Sequence, residues 1–329
     1  MVLAAAEALS RDPLPGQVDV VPAYASVAVF FRHGEVPEEG EMLRRFTEVF
    51  AGIGPSATSD SSAPVVEIPV AYGGREGPDL TDVAARTGLA ADEVVRRHSA
   101  ADYTVQAIGF LPGFPYLAGL PPELACPRRV SPRPLVPPGS VGIGGAQTGA
   151  YPCASPGGWN LIGRTTLGLF DASRPRPSLL RAGDRVRFVP VAGGDIPVSP
   201  GAETAPAGPA AIRVLQPGLL SSVQDLGREG WRSAGVGPGG AADDFAARVA
   251  NLLVGNPEGA AGIEFTLLGP ELRFEREAWI AVGGGEFAGV PSWKPLRIVA
   301  GTTLRIGEAR RGCRGFLAIA GGVDVPLVL

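Results

Sequence analysis

The sequence predicts a mainly β protein with a small α/β part at its N-terminus. Three observations carry that expectation. From about residue 99, the β-like runs YTVQAIGF, SVGIGGAQTGAYP, WNLIGRTTLGLF and DRVRFVPV alternate with Gly/Pro turns. Turn signals at roughly ten-residue spacing point to a small closed or sandwiched β structure. Before residue 99, helical and strand patterns mix. Finally, RAGDRVRF (181–188) is echoed by VAGTTLRI (299–306), an apolar lead, a Gly turn and an alternating strand. The echo predicts two related β-barrels.

Taken in order, residues 3–11 have a helical pattern. VDVVPAYASVAVFF (18–31) predicts two short strands joined at 22–25, the second alternating as a half-buried strand does. Met42, Leu43, Phe46, Val49 and Phe50 recur at helical spacing over 39–53. Residues 54–63 are small and polar, a loop composition. VVEIPVAY (65–72) is a strand whose Pro69 implies an edge or a bulge. A helix begins at Asp79 and stops at Gly88, and another spans 91–98. The β-rich stretch runs from 99 to 191. Residues 192–210 have the composition of a linker. A second β-rich unit occupies 211–329 and contains one helix, AADDFAARVANLLVG, with Asp243 or Asp244 as its cap and Gly255 as its stop. The chain closes on GFLAIAGGVDVPLVL, an apolar pattern in mid-course. The second unit is therefore expected to be incomplete. The domain expectation is 1–98 small α/β domain, 99–191 β-barrel, 192–210 linker and 211–329 second β unit.

Composition limits the function classes. A chain of 329 residues has room for two or three domains. A net charge of −4 favours neither nucleic acid nor an anionic membrane as partner. Cys126, Cys153 and Cys313 are spaced too irregularly for a disulfide framework or a zinc site. His33 and His98 are the two histidines, which excludes a His-rich metal centre. The N-terminus lacks a signal-peptide pattern, and no apolar run is long enough to span a membrane. These features predict a cytoplasmic protein with reduced thiols and no metal site.

Three stretches hold candidate chemistry. In GFLPGFPYLAGLP (109–121), glycines and prolines alternate with Phe110, Phe114 and Tyr116. One reading is a compact loop packed on its own aromatics. The other is a stiff wall beside a ligand, with the aromatics mostly packed and Gly113 allowing close approach. On that reading Gly113→Val abolishes ligand binding without unfolding the chain. Just before this segment stands His98, the best acid–base candidate by its intrinsic pKa, or else a helix-end histidine satisfied by carbonyls. In residues 127–166, Arg128, Arg133 and Arg164 lie among rigid prolines and glycines and offer planar forks for a carboxylate or phosphate. Gln147 and Thr148 sit between glycines, and SPGGW (155–159) is a tight turn holding an aromatic. GIGG at 142–145 lacks the spacing and following helix of a dinucleotide fingerprint, and the sole lysine, Lys294, rules out a P-loop. Nothing adjacent to Cys153 would activate it as a nucleophile. The third stretch, 223–244, places Gln224, Asp225 and Arg228 in a glycine-rich setting, with Glu264 further on. Asp225 and Arg228 are either ligand groups or a structural ion pair.

GFLPGFPYLAGLP followed by PRRVSPRPLVPPGSVGIGGAQTGAYPCASPGGWNLIGRT resembles the family called allophanate hydrolase subunit 1, the B-type 5-oxoprolinase subunit or the kinase inhibitor KipI. VLQPGLLSSVQDLGREGWRSAGVGPGGAADDFAARVANLLVGNP with GIEFTLLGPELRF resembles its partner, allophanate hydrolase subunit 2, the C-type 5-oxoprolinase subunit or the antagonist KipA. The resemblance runs from about Leu14 to the end and implies the two subunits fused in one chain. It departs from the family in an opening strand missing before the first helix and in a second subunit cut about halfway. It implies cyclophilin-like β-barrels, the first preceded by a small α/β domain. Residues that match the family's polar positions are His98, Arg128, Arg133, Gln147, Thr148, Tyr151 and Arg164 in the first barrel. In the second they are Gln224, Asp225, Arg228, Asp243, Asn251 and Glu264.

What the resemblance implies for function is a component of ATP-dependent 5-oxoprolinase, hydrolysing a lactam to glutamate within a complex. Catalysis then falls to His98, Arg128 and Gln147. A small anionic substrate is held by Arg133, Thr148, Tyr151, Arg164, Gly113, Gln224, Asp225, Arg228 and Glu264. ATP enters as a substrate of the complex, and a further, A-type subunit is the expected partner. The alternatives are a KipI/KipA-like module that binds a histidine kinase, or a carboxyltransferase-like region of a urea carboxylase system. Lys294 lacks the Met-Lys-Met setting of a biotin site, and the chain has no amidase Ser-Ser-Lys signature.

Overall fold

In the computed structural model the residues described are 1–53, 65–192 and 211–329. They form two compact units. The first comprises the described residues up to 192 with Glu229–Gly237 and Leu329. The second comprises the described residues from 211 to Arg228 together with Pro238–Val328. The expected loop at 54–63 and all but the first residue of the expected linker lie outside the described residues.

The first unit opens with α1 (Val2–Arg11), a hairpin of β1 (Gln17–Pro22) and β2 (Val27–Phe31), and α2 (Glu39–Gly52). Ala5, Ala6 and Leu9 of α1 meet Val20 and Val49 in a small core of their own. Complete burial of one aliphatic side chain such as Leu9 contributes about 1.5–3 kcal/mol, so this core is modest.

The chain then enters the barrel with β3 (Val65–Tyr72), leaves it for α3 (Leu80–Thr87) and α4 (Ala91–Ala100), and returns on β4 (Tyr103–Ile108) and β5 (Pro115–Ala118). A side hairpin partner, β6 (Arg133–Val136), precedes the tight pair β7 (Ser140–Gly144) and β8 (Gln147–Ala150). The pairing of β6 with β9 (Ser155–Gly157) stands apart from the barrel. Strands β10 (Asn160–Arg164) and β11 (Arg185–Pro190) complete it. The seven barrel strands close in the order β10-β3-β11-β4-β5-β8-β7. Inward positions alternate along each strand, so Ile68, Val70, Tyr103, Val105, Leu117, Val141, Ile143, Val186 and Phe188 share one core with Val83 and Val94 of the helices.

This closed barrel matches the expected fold class, but the expected boundary at 98 is misplaced. β3 pairs parallel with β11 from Val65–Arg185 to Val70–Pro190, and antiparallel with β10. It belongs to the barrel, not to the N-terminal part. Nor is it an edge strand. The ladder to β10 joins only Ala71 and Tyr72, which leaves Pro69 outside it. A parallel partner more than a hundred residues away has no local signature.

The second unit contains β12 (Ile212–Gln216), β13 (Leu220–Gln224), α5 (Asp244–Leu253), β14 (Gly262–Thr266), β15 (Glu271–Phe274), β16 (Ala278–Phe287), β17 (Leu296–Ile298), β18 (Thr303–Arg305) and β19 (Ala309–Ile319). Its strands make two antiparallel sheets, β12-β15-β18 and β13-β14-β19-β16-β17. Phe265, Leu272, Phe274, Ile280, Val282, Leu304, Ile306 and Leu317 form the core. Ala247 and Ala250 of α5 pack against Ala281, Phe316 and Ala318, small residues that let the helix lie close. Asp243 caps α5 by accepting from the Ala246 N–H at 2.9 Å.

Candidate functional site

The GFLPGFPYLAGLP stretch turns at Leu111–Phe114 and then becomes β5. Phe114 is 1% exposed and sits at the hub of an aromatic cluster. Its ring meets Tyr116, Tyr151 and Trp159 edge-on, at centroid distances of 5.0, 5.1 and 5.5 Å. Phe110 is not packed as expected. Its backbone is left-handed, with φ of 70°, and its ring is 61% exposed.

Above this floor stands Arg128. It is exposed, and its guanidinium lies 5.9 Å from the Trp159 ring centroid. The neighbouring arginines are engaged elsewhere. Arg129 and Arg133 both donate to Asp79 Oδ1, at 2.9 and 2.7 Å. Arg164 donates to the Pro138 carbonyl at 2.7 Å and pairs with Glu76 at 3.4 Å. Among the described residues, Arg128 alone of this group forms no ion pair.

Gln147, at the start of β8, lies beside the phenol of Tyr24 from the β1–β2 turn. Burial pushes the Tyr24 phenol up, and so does neighbouring Tyr116, with the Gln147 side chain opposing. Burial likewise raises Tyr116, with Arg128 opposing. Both phenols are therefore protonated donors at neutral pH. Tyr24 also lines a cleft of about 1380 Å³ in the first unit, along with Asp19, Thr104 and Gln106.

The remaining expected residues of this unit have structural places. His98 is fully buried, stacked on Phe188 at 4.7 Å. Thr148 Oγ1 donates to the Gly142 carbonyl at 3.0 Å, so it accepts from His98 Nε2–H at 2.9 Å. His98 Nδ1 then accepts from the Tyr72 hydroxyl at 2.8 Å. Burial pushes His98 down to about 3. A neutral, enclosed imidazole bonded on both nitrogens is a core residue, not a group that meets a ligand. Thr148 is equally enclosed, and Tyr151 is 2% exposed beneath Trp159. Gly113 does not face a ligand either. Its φ is 76°, and a Cβ there would lie 2.9 Å from the Phe170 Cβ and 3.0 Å from the Leu169 carbonyl oxygen. Its N–H is held by the Ala234 carbonyl at 2.9 Å. The wall expectation for Gly113 is thus corrected: the glycine serves a turn packed against other protein.

In the second unit, Gln224 donates to Ser222 at 3.1 Å and Asp225 accepts from the Gly227 N–H at 2.6 Å. Arg228 donates to the Val328 carbonyl at 2.9 Å. No ion pair joins Asp225 to Arg228 among the described residues, so the structural-pair alternative is not what holds them. Asn251 is fully buried and ties α5 to the Glu258 and Ala260 carbonyls. Glu264 is almost buried between the Ala242 N–H at 2.6 Å and Arg314 at 2.7 Å.

From the expected set, the structure places Arg128 over Trp159 and Gln147 beside Tyr24. It adds Tyr24, which the sequence did not single out, and Tyr116 and Trp159, which the sequence marked as aromatics of their turns and not as binding residues. Asp79 was also missed: it read as a helix start, and its arginine partners lie 50 and 54 residues away.

The first unit is thus a closed β-barrel that carries an exposed guanidinium over an aromatic cluster. Residues 1–180 match the family described as carboxyltransferase domain, subdomain C and D, and residues 234–329 match carboxyltransferase domain, subdomain A and B. The chain belongs to the carboxyltransferase-domain family and carries both parts in one polypeptide. It is 50% identical over 179 residues to the B-type 5-oxoprolinase subunit of Escherichia coli O157:H7, covering 54% of this chain and 79% of that protein. It is 38% identical over 125 residues to the C-type 5-oxoprolinase subunit of Escherichia coli strain K12, covering 36% of this chain and 40% of that protein. A crystal structure of TTHA0988 superposes with a TM-score of 0.83 at 40% identity over 100% of this chain. This chain spans 66% of that one.

Proposed function

We propose that this chain is a component of an ATP-dependent 5-oxoprolinase and that the Arg128–Trp159–Gln147 face holds the substrate. One observation carries the reading: Arg128 stands exposed over Trp159 while Arg129 and Arg133 beside it are tied to Asp79. A free guanidinium fork suits the substrate carboxylate, and the flat indole suits a five-membered ring. Gln147, Tyr24 and Tyr116 supply neutral donors for the lactam oxygen.

A lactam is a poor electrophile. Transfer of the ATP terminal phosphoryl group to its oxygen releases ADP and makes the ring carbon open to water. The C–N bond then breaks, the nitrogen leaves as the amine, and a second water frees phosphate. The products are glutamate, ADP and phosphate. Donors fixed around the lactam oxygen stabilise the charge that builds there. His98 takes no part, being enclosed and neutral. The further, A-type subunit belongs to this proposal, as does the hydrolysis of a cyclic amide.

Calorimetric titration with 5-oxoproline tests the binding face directly. The reading expects saturable binding that Arg128→Ala weakens at least tenfold. Equal binding by the wild type and the variant would remove Arg128 from the site.

A further inference from the structure

A second cleft, of about 570 Å³, lies in the second unit and is lined by Phe245, Trp293, Arg311, Cys313 and Arg314, with Asp243 and Glu286. Its size is that of a small-molecule site. Phe245 is 68% exposed and Trp293 39% exposed, and their rings meet at 6.3 Å with a 50° tilt. The two faces lie side by side and offer a surface on which a planar ring can stack. Trp293 also holds a left-handed backbone, with φ of 61°, a conformation that aromatic residues rarely adopt.

The floor of this cleft is backbone. Along the β16–β19 ladder, Gly284 pairs with Gly315 and Glu286 with Arg311. Gly312, Cys313 and Arg314 therefore stand against Gly285 alone, a bulge of the kind that re-aims side chains at sites. A Cβ on Gly285 would lie 2.7 Å from the Arg311 carbonyl oxygen, and one on Gly312 would lie 3.2 Å from Gly285 Cα. Only glycine permits this approach. The bulge presents Arg311, which is exposed and has no ion pair among the described residues. Arg314 is oriented by Glu264, whose other oxygen holds the Ala242 N–H ahead of α5. Of the two lining carboxylates, Asp243 is engaged in capping α5 and Glu286 faces Arg311 across the ladder. The sole lysine, Lys294, follows Trp293 in the chain and is exposed.

An aromatic clamp beside guanidinium groups over a side-chain-free floor matches a planar ring that carries phosphate. We propose that this cleft binds a purine nucleotide, with the base against Phe245 and Trp293 and the phosphates toward Arg311. The choice of an adenine nucleotide rests on the 5-oxoprolinase reading; the ring-plus-phosphate chemistry does not.

Titrating ATP into the intact chain, by calorimetry and by tryptophan fluorescence, tests this. ATP is expected to bind and to quench fluorescence, with Phe245→Ala and Arg311→Ala each weakening binding about tenfold. Both side chains are exposed, so both variants should keep the wild-type circular dichroism spectrum. Trp293→Phe should abolish most of the quench while calorimetric binding persists. ATP should also slow modification of Cys313 by a thiol reagent. Inorganic tripolyphosphate should bind more weakly than ATP, since it cannot stack. Absence of ATP binding at millimolar concentration, or unchanged affinity in both variants, would overturn the proposal. A 5-oxoproline titration on the same samples separates the two readings. Its failure removes the first-unit site, whereas retained 5-oxoproline binding without ATP binding removes this one.

Discussion

Asp79 Oδ1 lies 2.7 Å from Arg133 Nη2, and the Asp79 side chain is 3% exposed. The same oxygen takes Arg129 at 2.9 Å, while Oδ2 accepts the Leu161 N–H at 2.7 Å. One carboxylate therefore fastens the start of α3 to β10 and to two arginines that follow Arg128 in the chain. An enclosed carboxylate of this kind is costly to lose, because its partners stay behind half-buried. Asp79→Asn is expected to destabilise the protein by about 3 kcal/mol. Urea denaturation measures it, and a change below about 0.5 kcal/mol, as for a surface site, would contradict this account.

The His98 chain makes a pH prediction. In the unfolded protein the imidazole takes up a proton near its ordinary value of about 6.5, whereas burial holds it neutral down to about 3 in the native state. Above about pH 6.5 neither state is charged, and His98 adds no pH dependence. Below that, the unfolded state binds the extra proton, so stability falls by about 1.4 kcal/mol per pH unit until the native pKa is reached. His98→Gln removes this titration. Its stability should fall less steeply than the wild type between about pH 6 and 5. Parallel slopes in denaturation series across that range would show that His98 is not held neutral.

At Gly113 the expectation is structural failure. Valine would meet Phe170 and the Leu169 carbonyl in a backbone region that β-branched residues avoid. Gly113→Val should cost about 2–3 kcal/mol and lower the melting temperature by several degrees. Calorimetric melting that matches the wild type would restore Gly113 as a candidate ligand wall.

Much of the fold was legible because it depends on local pattern. The β1–β2 hairpin, α2, the Gly88 stop and α5 follow from alternation, helical spacing and end residues. The barrel role of β3 was not legible, since nothing in VVEIPVAY says that its parallel partner is RVRFVP. The site was half legible. Arg128 and Gln147 stand out by residue type, but sequence cannot tell Arg128 from Arg133, which differ only in whether Asp79 has claimed them. His98 illustrates the opposite error. Its chemistry suggests catalysis, and only the closed barrel around it shows an enclosed residue.

The central claim is that the exposed Arg128 face serves lactam hydrolysis. The most direct measurement is 5-oxoproline-dependent ATP hydrolysis by this chain together with an A-type subunit, comparing wild type, Arg128→Ala and Gln147→Ala. The account predicts turnover that requires both proteins, with the KM for 5-oxoproline raised at least tenfold by Arg128→Ala and raised to a lesser degree by Gln147→Ala. Wild-type kinetics in both variants, or no turnover from a folded complex, would contradict it.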